Sequence, residues 1–296
     1  MQSTTRPVTP SPSPIPAQPS EWGIDRLDVD AYLARIGYAG ALAPTVETLI
    51  ALHRAHALAI PFENLDIILG RGVSLDLDDL QDKMIRHRRG GYCFEHNTLL
   101  MHVLDALGFQ VTGLAARVLM NKPEGSALPR THMLLRVDLD DGPVLADVGF
   151  GGLTPTGPLR LETDIVQQTP HEPFRLTRAG EDYRLQVQIG GSWTNLYQFD
   201  LQVQIGPDYE MMNHYTATHP DSVFLNNLVA ALPVPGRRYA LRNDSFAVHT
   251  TGGGTERRTL TSAEEIRSVL TDVFGVSLPS DPGLDAVFGR FAAQAA

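Results

Sequence analysis

Apolar positions recur at helical spacing from about residue 24 to 108 and at strand spacing beyond it. In the first stretch Leu33, Ile36 and Tyr38 follow an acidic start at Asp28 and Asp30. Thr45 is placed to cap a helix carrying Leu49, Leu52 and Ala55, with Pro61 beyond its end. Asp76 is placed to cap another, with Leu80, Met84 and Ile85 on one face. A fourth helix starts near Cys93, runs through Leu99, Leu100, Val103 and Leu107, and meets its stop at Gly108. Four short helices with brief connections predict a helical bundle.

After Gly108 the period changes. QVTGLAARVLM, THMLLRVDL, GPVLADVGF, YRLQVQIG and SWTNLYQF are short runs rich in β-branched and aromatic residues, separated by Gly, Asp, Asn and Pro. They predict an antiparallel sheet or small barrel over about 109–205. The remainder is mixed: PDSVFLNNLVAA predicts a helix, and GRRYALR, SFAVHTT and TERRTL predict strands. Thr261 with Glu264 forms a capping box ahead of Ile266, Val269, Leu270 and Val273, with Gly275 as the stop. Asp281-Pro282 predicts the start of a final helix, with proline at its first position. The expectation is an α+β chain: a loose arm at 1–21, helices at 22–108, a β-barrel at 109–205 and an α/β part at 206–296. The arm is proline-rich, with six prolines in residues 1–20, and has little apolar surface to bury.

Composition narrows the function. The 296 residues are 43 % hydrophobic and 20 % charged, which is globular composition. The net charge of −10 disfavours a nucleic-acid partner. No run is apolar enough to cross a membrane, and the N-terminus lacks a secretory pattern, so the cytoplasm is the expected compartment. The single cysteine, Cys93, excludes an internal disulfide and any thiolate metal cluster built by this chain alone.

Cys93 sits in Arg88-Arg89-Gly90-Gly91-Tyr92-Cys93-Phe94-Glu95-His96-Asn97. The glycines permit unusual backbone angles just before a helix, which puts the thiol at a helix N-terminus. The positive dipole end and the preceding arginines favour a thiolate there, while Glu95 opposes it. A buried structural cysteine is the alternative. A nucleophilic thiol needs a base, and the base needs an orienting group. His132 lies in the alternating strand Thr131-His132-Met133-Leu134-Leu135, and Asp147 ends a strand fifteen residues on, before Val148-Gly149-Phe150-Gly151-Gly152. Asp147 is expected to accept the Nδ1 proton of His132, leaving Nε2 for Cys93. The order Cys, His, Asp, with the cysteine opening a helix and the others on strands, is that of transglutaminase-like thiol enzymes; papain-like ones place Asn last. A strand histidine and a turn-capping aspartate remain the plainer alternative.

His96, three residues past Cys93, is a competing base without an evident orienting carboxylate. His53 and His56 have i, i+3 spacing but no third ligand placed by sequence, so no metal is expected. In Ile60-Pro61-Phe62-Glu63-Asn64-Leu65, Glu63 can pair with Arg89 and fix the loop that carries the thiol, or form only an exposed ion pair. Asn64 is expected to bond backbone groups of its own turn.

Four strings together resemble the arylamine N-acetyltransferases: Pro61-Phe62-Glu63-Asn64-Leu65, Arg89 through Asn97, Thr131-His132-Met133, and Asp147-Val148-Gly149-Phe150-Gly151. Tyr215-Thr216-Ala217-Thr218-His219-Pro220 with Ser222 and Phe224, and Gly236-Arg237-Arg238-Tyr239, extend the likeness over residues 24–275. The resemblance implies a helical bundle, a central antiparallel β-barrel and an α/β lid around a papain/transglutaminase-like thiol core. It implies a Cys93–His132–Asp147 triad, acetyl-CoA as donor, and an aryl amine or aryl hydrazine as acceptor. It implies that Thr131, Gly149, Gly151 and Gly152 lie near the donor, and that Phe62 and Phe150 line the acceptor pocket. An amide synthase closing a macrolactam from a carrier-bound acyl chain would carry the same triad. A thiol hydrolase and a non-catalytic binding module are further alternatives.

Overall fold

The structure, a computed structural model, describes residues 26–292. The proline-rich arm lies outside the described residues. Helix α1 (Val29–Ile36) is capped by Asp28, which accepts from the Ala31 N–H. Helix α2 (Val46–Ala59) is capped by Thr45, which accepts from the Thr48 N–H. A two-residue strand β1 (Phe62–Glu63) leads into α3 (Leu65–Ile68). Helix α4 (Leu77–Leu80), capped by Asp76, continues as a π-helical turn over Gln81–Arg86, and α5 (Cys93–Ala106) completes the helical part. The additional helix α3 is one turn long, too short to show a hydrophobic period.

The second part contains β2 (Gln110–Val118), β3 (His132–Asp138), β4 (Val144–Ala146), β5 (Leu159–Arg160), β6 (Phe174–Ala179), β7 (Asp182–Ile189) and β8 (Ser192–Phe199). They form one antiparallel sheet in the order β5-β4-β3-β2-β8-β7-β6. The segment 163–167 straps its two edges together. The Asp164 N–H donates to the Leu176 carbonyl at 2.8 Å, and Gln167 exchanges backbone bonds with Phe174. The Gln167 side chain meanwhile bonds both backbone groups of Arg160 on β5, at 2.7 and 2.9 Å. The sheet is thereby nearly closed into a barrel, around Leu114, Leu134, Phe174, Leu176, Leu185 and Leu196.

The last part contains α6 (Gly206–Thr218), α7 (Val223–Asn226), β9 (Val229–Val234), β10 (Arg237–Arg242), β11 (Ser245–Thr250), β12 (Thr255–Thr259), α8 (Ala263–Ser268) and α9 (Leu284–Phe291). Three sequence expectations are corrected here. The run PDSVFLNNLVAA is helical only over Val223–Asn226; its end belongs to β9, where Ala231 and Ala230 pair with Phe62 and Glu63 of β1. Strand pairing overrides alanine's helix preference. The cap before α8 is Ser262, not Thr261: it accepts from the Glu265 N–H at 3.2 Å, and Glu265 in return accepts from the Thr261 N–H. The final helix starts at Leu284 rather than at Pro282, because Asp281 caps the preceding turn through the Gly283 N–H at 2.7 Å.

Strand β1 comes from the helical part yet forms the edge of the five-stranded sheet β1-β9-β10-β11-β12. That pairing holds Phe62 against the lid, while α5 packs on β3 in the cluster that includes Cys93, Phe94, Met133 and Leu135. Helix α5, the barrel and the lid therefore converge on one region. No helix among the described residues is long and apolar enough to cross a membrane.

Candidate active site

Cys93 is the first residue of α5 and is 3 % exposed. The approach to it is tight. A Cβ on Gly90 would lie 2.0 Å from the Pro61 carbonyl oxygen, and one on Gly91 would lie 2.9 Å from Glu95. The two glycines are therefore required for close packing and not, as expected, for unusual backbone angles. The left-handed residue in this loop is Arg88, with φ of 50°. Glu95, which the sequence places as an opposing charge, is engaged: Oε2 accepts from the Tyr92 N–H at 3.0 Å and Oε1 pairs with Lys83 at 2.7 Å. Glu95 thus caps the helix that Cys93 opens. Burial still raises the Glu95 carboxyl above its usual range, with Lys83 opposing.

Arg89 is buried and donates to Glu63 at 2.8 Å and to Asp66 at 3.1 Å; Lys83 reaches Asp66 at 2.6 Å. Glu63 is fully buried, so the exposed-pair alternative is excluded. Burial alone would raise the Glu63 and Asp66 carboxyls, but Arg89 and Lys83 hold both below the usual carboxylate range. Arg89's charge is thereby balanced by two carboxylates, and Arg88 is exposed, so the arginines add little to the positive dipole of the helix end. Asn64 does not serve its own turn. It donates to the Phe224 and Asn227 carbonyls, both at 2.7 Å, and accepts from the Val229 N–H at 2.8 Å, tying β1 to the lid.

His132 starts β3 and faces Asp147 at the end of β4. His132 Nε2 donates to Asp147 Oδ2 at 2.8 Å. This reverses the expected ring orientation: Nε2 is committed to the carboxylate, and Nδ1 is the nitrogen left for neighbouring Cys93, which adds to the upward push on the ring. Which nitrogen faces the acid depends on the ring's side of the strand, and residue spacing carries no such information. The Cys93 Sγ also lies 3.7 Å from the Thr131 carbonyl oxygen.

Asp147 accepts four hydrogen bonds. Oδ2 receives His132 Nε2 and the Tyr197 hydroxyl at 2.9 Å; Oδ1 receives Asn97 Nδ2 and the Gly149 N–H, both at 3.0 Å. Its own N–H donates to His53 Nε2 at 3.2 Å. Burial disfavours the carboxylate, but His132 and these donors hold Asp147 below its usual range. Burial likewise opposes the imidazolium, yet Asp147 pushes His132 up to about 10. Tyr197 and Phe150 flank the imidazole, with ring centroids at 4.9 and 5.1 Å.

The glycine segment closes over the helix start. A Cβ on Gly149 would lie 2.9 Å from Cys93 Cα and 2.8 Å from Asn97 Nδ2. Gly151, at φ 83°, faces the Phe62 ring, while Gly152 is exposed and Thr131 is partly so. Arg238 of β10 is buried and anchors this segment to the lid, donating to the Thr154 and Gly152 carbonyls at 2.9 and 3.4 Å.

Several of these residues escaped sequence reasoning. Asn97 lies one turn beyond Cys93, a spacing that could have flagged it; it also bonds the Met133 carbonyl and the Val148 N–H. Tyr197 faces the acid through a register shift in the β7–β8 pairing, which alternation does not reveal. His53 and His56 share no ligand: His53 serves Asp147, and His56 bonds Tyr32 and His96. His96, the competing base, is turned away from the thiol, its nitrogens bonded to His56 and to the Pro61 carbonyl.

Comparison with known proteins matches the chain to one family. A family model described as N-acetyltransferase matches residues 45–282. An arylamine N-acetyltransferase of Mycolicibacterium smegmatis is 43% identical over 263 residues, spanning 88% of this chain and 95% of that protein. One from Escherichia coli (strain K12) is 42% identical over 248 residues, 83% of this chain and 88% of that protein. The solved structure of the Mycobacterium marinum arylamine N-acetyltransferase in complex with CoA aligns with a TM-score of 0.86 at 40% identity, covering 90% of this chain and 100% of that one. This chain belongs to the arylamine N-acetyltransferase family.

Proposed function

We propose that this protein transfers the acetyl group of acetyl-CoA to the nitrogen of aryl amines or aryl hydrazines through an acetyl-Cys93 intermediate. The observation that carries the reading is the buried line from the Cys93 thiol through His132 to Asp147, set at a helix start. CoA bound to the Mycobacterium marinum relative supports the choice of donor.

In the first half-reaction the proton shared by Cys93 and His132 sits on His132 Nδ1, and the Cys93 sulfur attacks the thioester carbonyl carbon. The first N–H groups of α5, at Cys93 and Phe94, have no acceptor within the helix and face the developing oxyanion. The carbon–sulfur bond to CoA breaks, the CoA thiolate takes the proton from His132, and an acetyl thioester remains on Cys93. In the second half-reaction the amine nitrogen attacks that thioester, His132 accepts the amine proton, and the Cys93 thiolate leaves. Asp147 holds the ring and offsets its charge throughout. An aryl amine is largely neutral near pH 7 and offers its lone pair; an alkyl amine is largely protonated and reacts poorly.

In this reading Thr131, Gly149, Gly151 and Gly152 border the donor. Gly149 is suited to that place because any side chain would strike Cys93. Phe62 and Phe150 border the acceptor, and Glu63 with Arg89 holds the loop that presents the thiol. The test is acetyl-CoA consumption across a panel of aryl amines and aryl hydrazines. Turnover that needs both substrates and shows ping-pong kinetics is the expected result. Equal consumption without amine would point to a thiol hydrolase. Turnover restricted to carrier-bound acyl chains would point to an amide synthase. Either outcome would overturn the proposal.

A further inference from the structure

We propose that His96 is a positioning residue for the acceptor half-reaction, holding the Pro61–Phe62 wall through a chain of hydrogen bonds whose direction is fixed by the Pro61 carbonyl. The proposal rests on the reading that Phe62 borders the acceptor.

The chain joins three helices. Tyr32 Oη on α1 lies 2.9 Å from His56 Nδ1 on α2, His56 Nε2 lies 2.9 Å from His96 Nδ1 on α5, and His96 Nε2 lies 3.2 Å from the Pro61 carbonyl oxygen. All four residues are buried. A carbonyl can only accept, so His96 Nε2 carries a proton. Burial keeps both rings neutral, lowering His96 to about 4 and His56 well below its ordinary value. His96 Nδ1 is then bare and accepts from His56 Nε2. His56 Nδ1 is bare in turn and accepts from the Tyr32 hydroxyl. One arrangement of protons satisfies every group in the chain: the Pro61 carbonyl, which can only accept, sets the direction, and the tyrosine hydroxyl follows as donor.

The chain ends on the backbone of the acceptor wall. The Pro61 carbonyl also receives the Gly91 N–H at 3.3 Å. The next residue, Phe62, stacks on the His96 imidazole with a centroid separation of 6.3 Å and an interplanar angle of 4°. Phe62 reaches Phe224 of the lid on another side, at 5.8 Å, and faces Gly151 of the glycine segment. His96 thus supports Phe62 twice, through the preceding carbonyl and through its ring. The Cys93–His132–Asp147 line is held by Asn97, Tyr197 and Gly149, none of which bonds His96. Loss of the His96 donor is therefore felt by the acceptor and hardly by the acetylation of Cys93.

The test uses His96→Phe, which keeps a ring beneath Phe62 and removes both nitrogens, alongside His96→Gln, whose amide N–H restores a donor to Pro61. Acetylation of Cys93 by acetyl-CoA and its release by an aryl amine are timed separately. In His96→Phe the amine KM rises about tenfold while the acetylation rate stays within about twofold, and His96→Gln recovers most of the amine KM. Equal loss in both halves, or an unchanged amine KM, would overturn the proposal. Failure of the parent protein to take acetyl from acetyl-CoA would overturn the acetyl-transfer reading itself and the role of His96 with it.

An independent readout needs no turnover. In protein carrying ¹⁵N-labelled histidine, His56 and His96 appear at neutral pH as Nε2–H tautomers, and they remain so in Tyr32→Phe, because the Pro61 carbonyl still needs a donor. Finding either ring as Nδ1–H or as imidazolium in the parent would refute the chain's direction.

Discussion

Replacing Asp147 by Asn probes the proposed catalytic line with the smallest change in shape. The carboxylate accepts four hydrogen bonds, two at each oxygen. An amide keeps one oxygen and exchanges the other for an NH₂ group that cannot accept. If that NH₂ faces Asn97 and Gly149, two buried donors confront it, each conflict costing about 1–3 kcal/mol. If it faces His132 and Tyr197, the tyrosine hydroxyl can turn and accept, but His132 Nε2 must become an acceptor. The proton then moves to Nδ1, the nitrogen that should receive the Cys93 proton. Either orientation removes the charge that raises His132 to about 10. A triad base held in the wrong tautomer loses about 10⁴ in rate. Single-turnover acetylation of Cys93, followed by rapid quench and mass measurement, reads that loss directly. Because folding is also weakened, the variant is assayed well below its melting temperature. Acetylation within about tenfold of the parent rate would refute the assigned role of Asp147.

The other expectations concern the supports of the same line. Gly149→Ala places a methyl 2.9 Å from Cys93 Cα, so thermal unfolding should show a loss of about 1–3 kcal/mol together with slowed acetylation. Arg89→Met leaves Glu63 charged and fully buried, and urea unfolding should report a loss of about 3–5 kcal/mol. His132 has a folded pKa raised to about 10, so its contribution to stability is complete below its unfolded value of about 6.5 and is lost as pH rises through about 10. Unfolding free energy measured across that interval should fall in the parent and be flatter in Asp147→Asn; parallel profiles would contradict the coupling.

Legibility in the sequence followed the range of the interactions involved. Thr45 and Asp76 are readable caps because each bonds an N–H within three residues. The strand at 182–189 is readable because its period-two burial is local, and those at 110–118, 132–138 and 192–199 because short runs of β-branched, aliphatic and aromatic residues end at turn residues. Cys93 stood out because its glycine approach and helix start lie in one string. His132 and Asp147 stood out because each sits at the end of a short strand. Partners set by long-range packing stayed hidden. Asn64 has the local pattern of a turn residue, yet its three bonds go to the 224–229 segment. The Leu228–Ala231 stretch looked helical because alanine's preference carries no record of β1, which lies more than 160 residues earlier. Tyr197 and His53 reach Asp147 from elements whose sequences carry no polar signal pointing there. His53 and His56 were spaced like metal ligands, yet they face different partners.

The central claim is that acetyl passes through the sulfur of Cys93. It is tested most directly by mixing the protein with acetyl-CoA alone, quenching in acid and mapping the modified peptide by mass. The expected result is an acetyl-sized gain confined to the peptide that contains Cys93, discharged on adding an aryl amine and absent from Cys93→Ala. An unmodified Cys93, or acetyl found on another residue while the amine is still turned over, would contradict it.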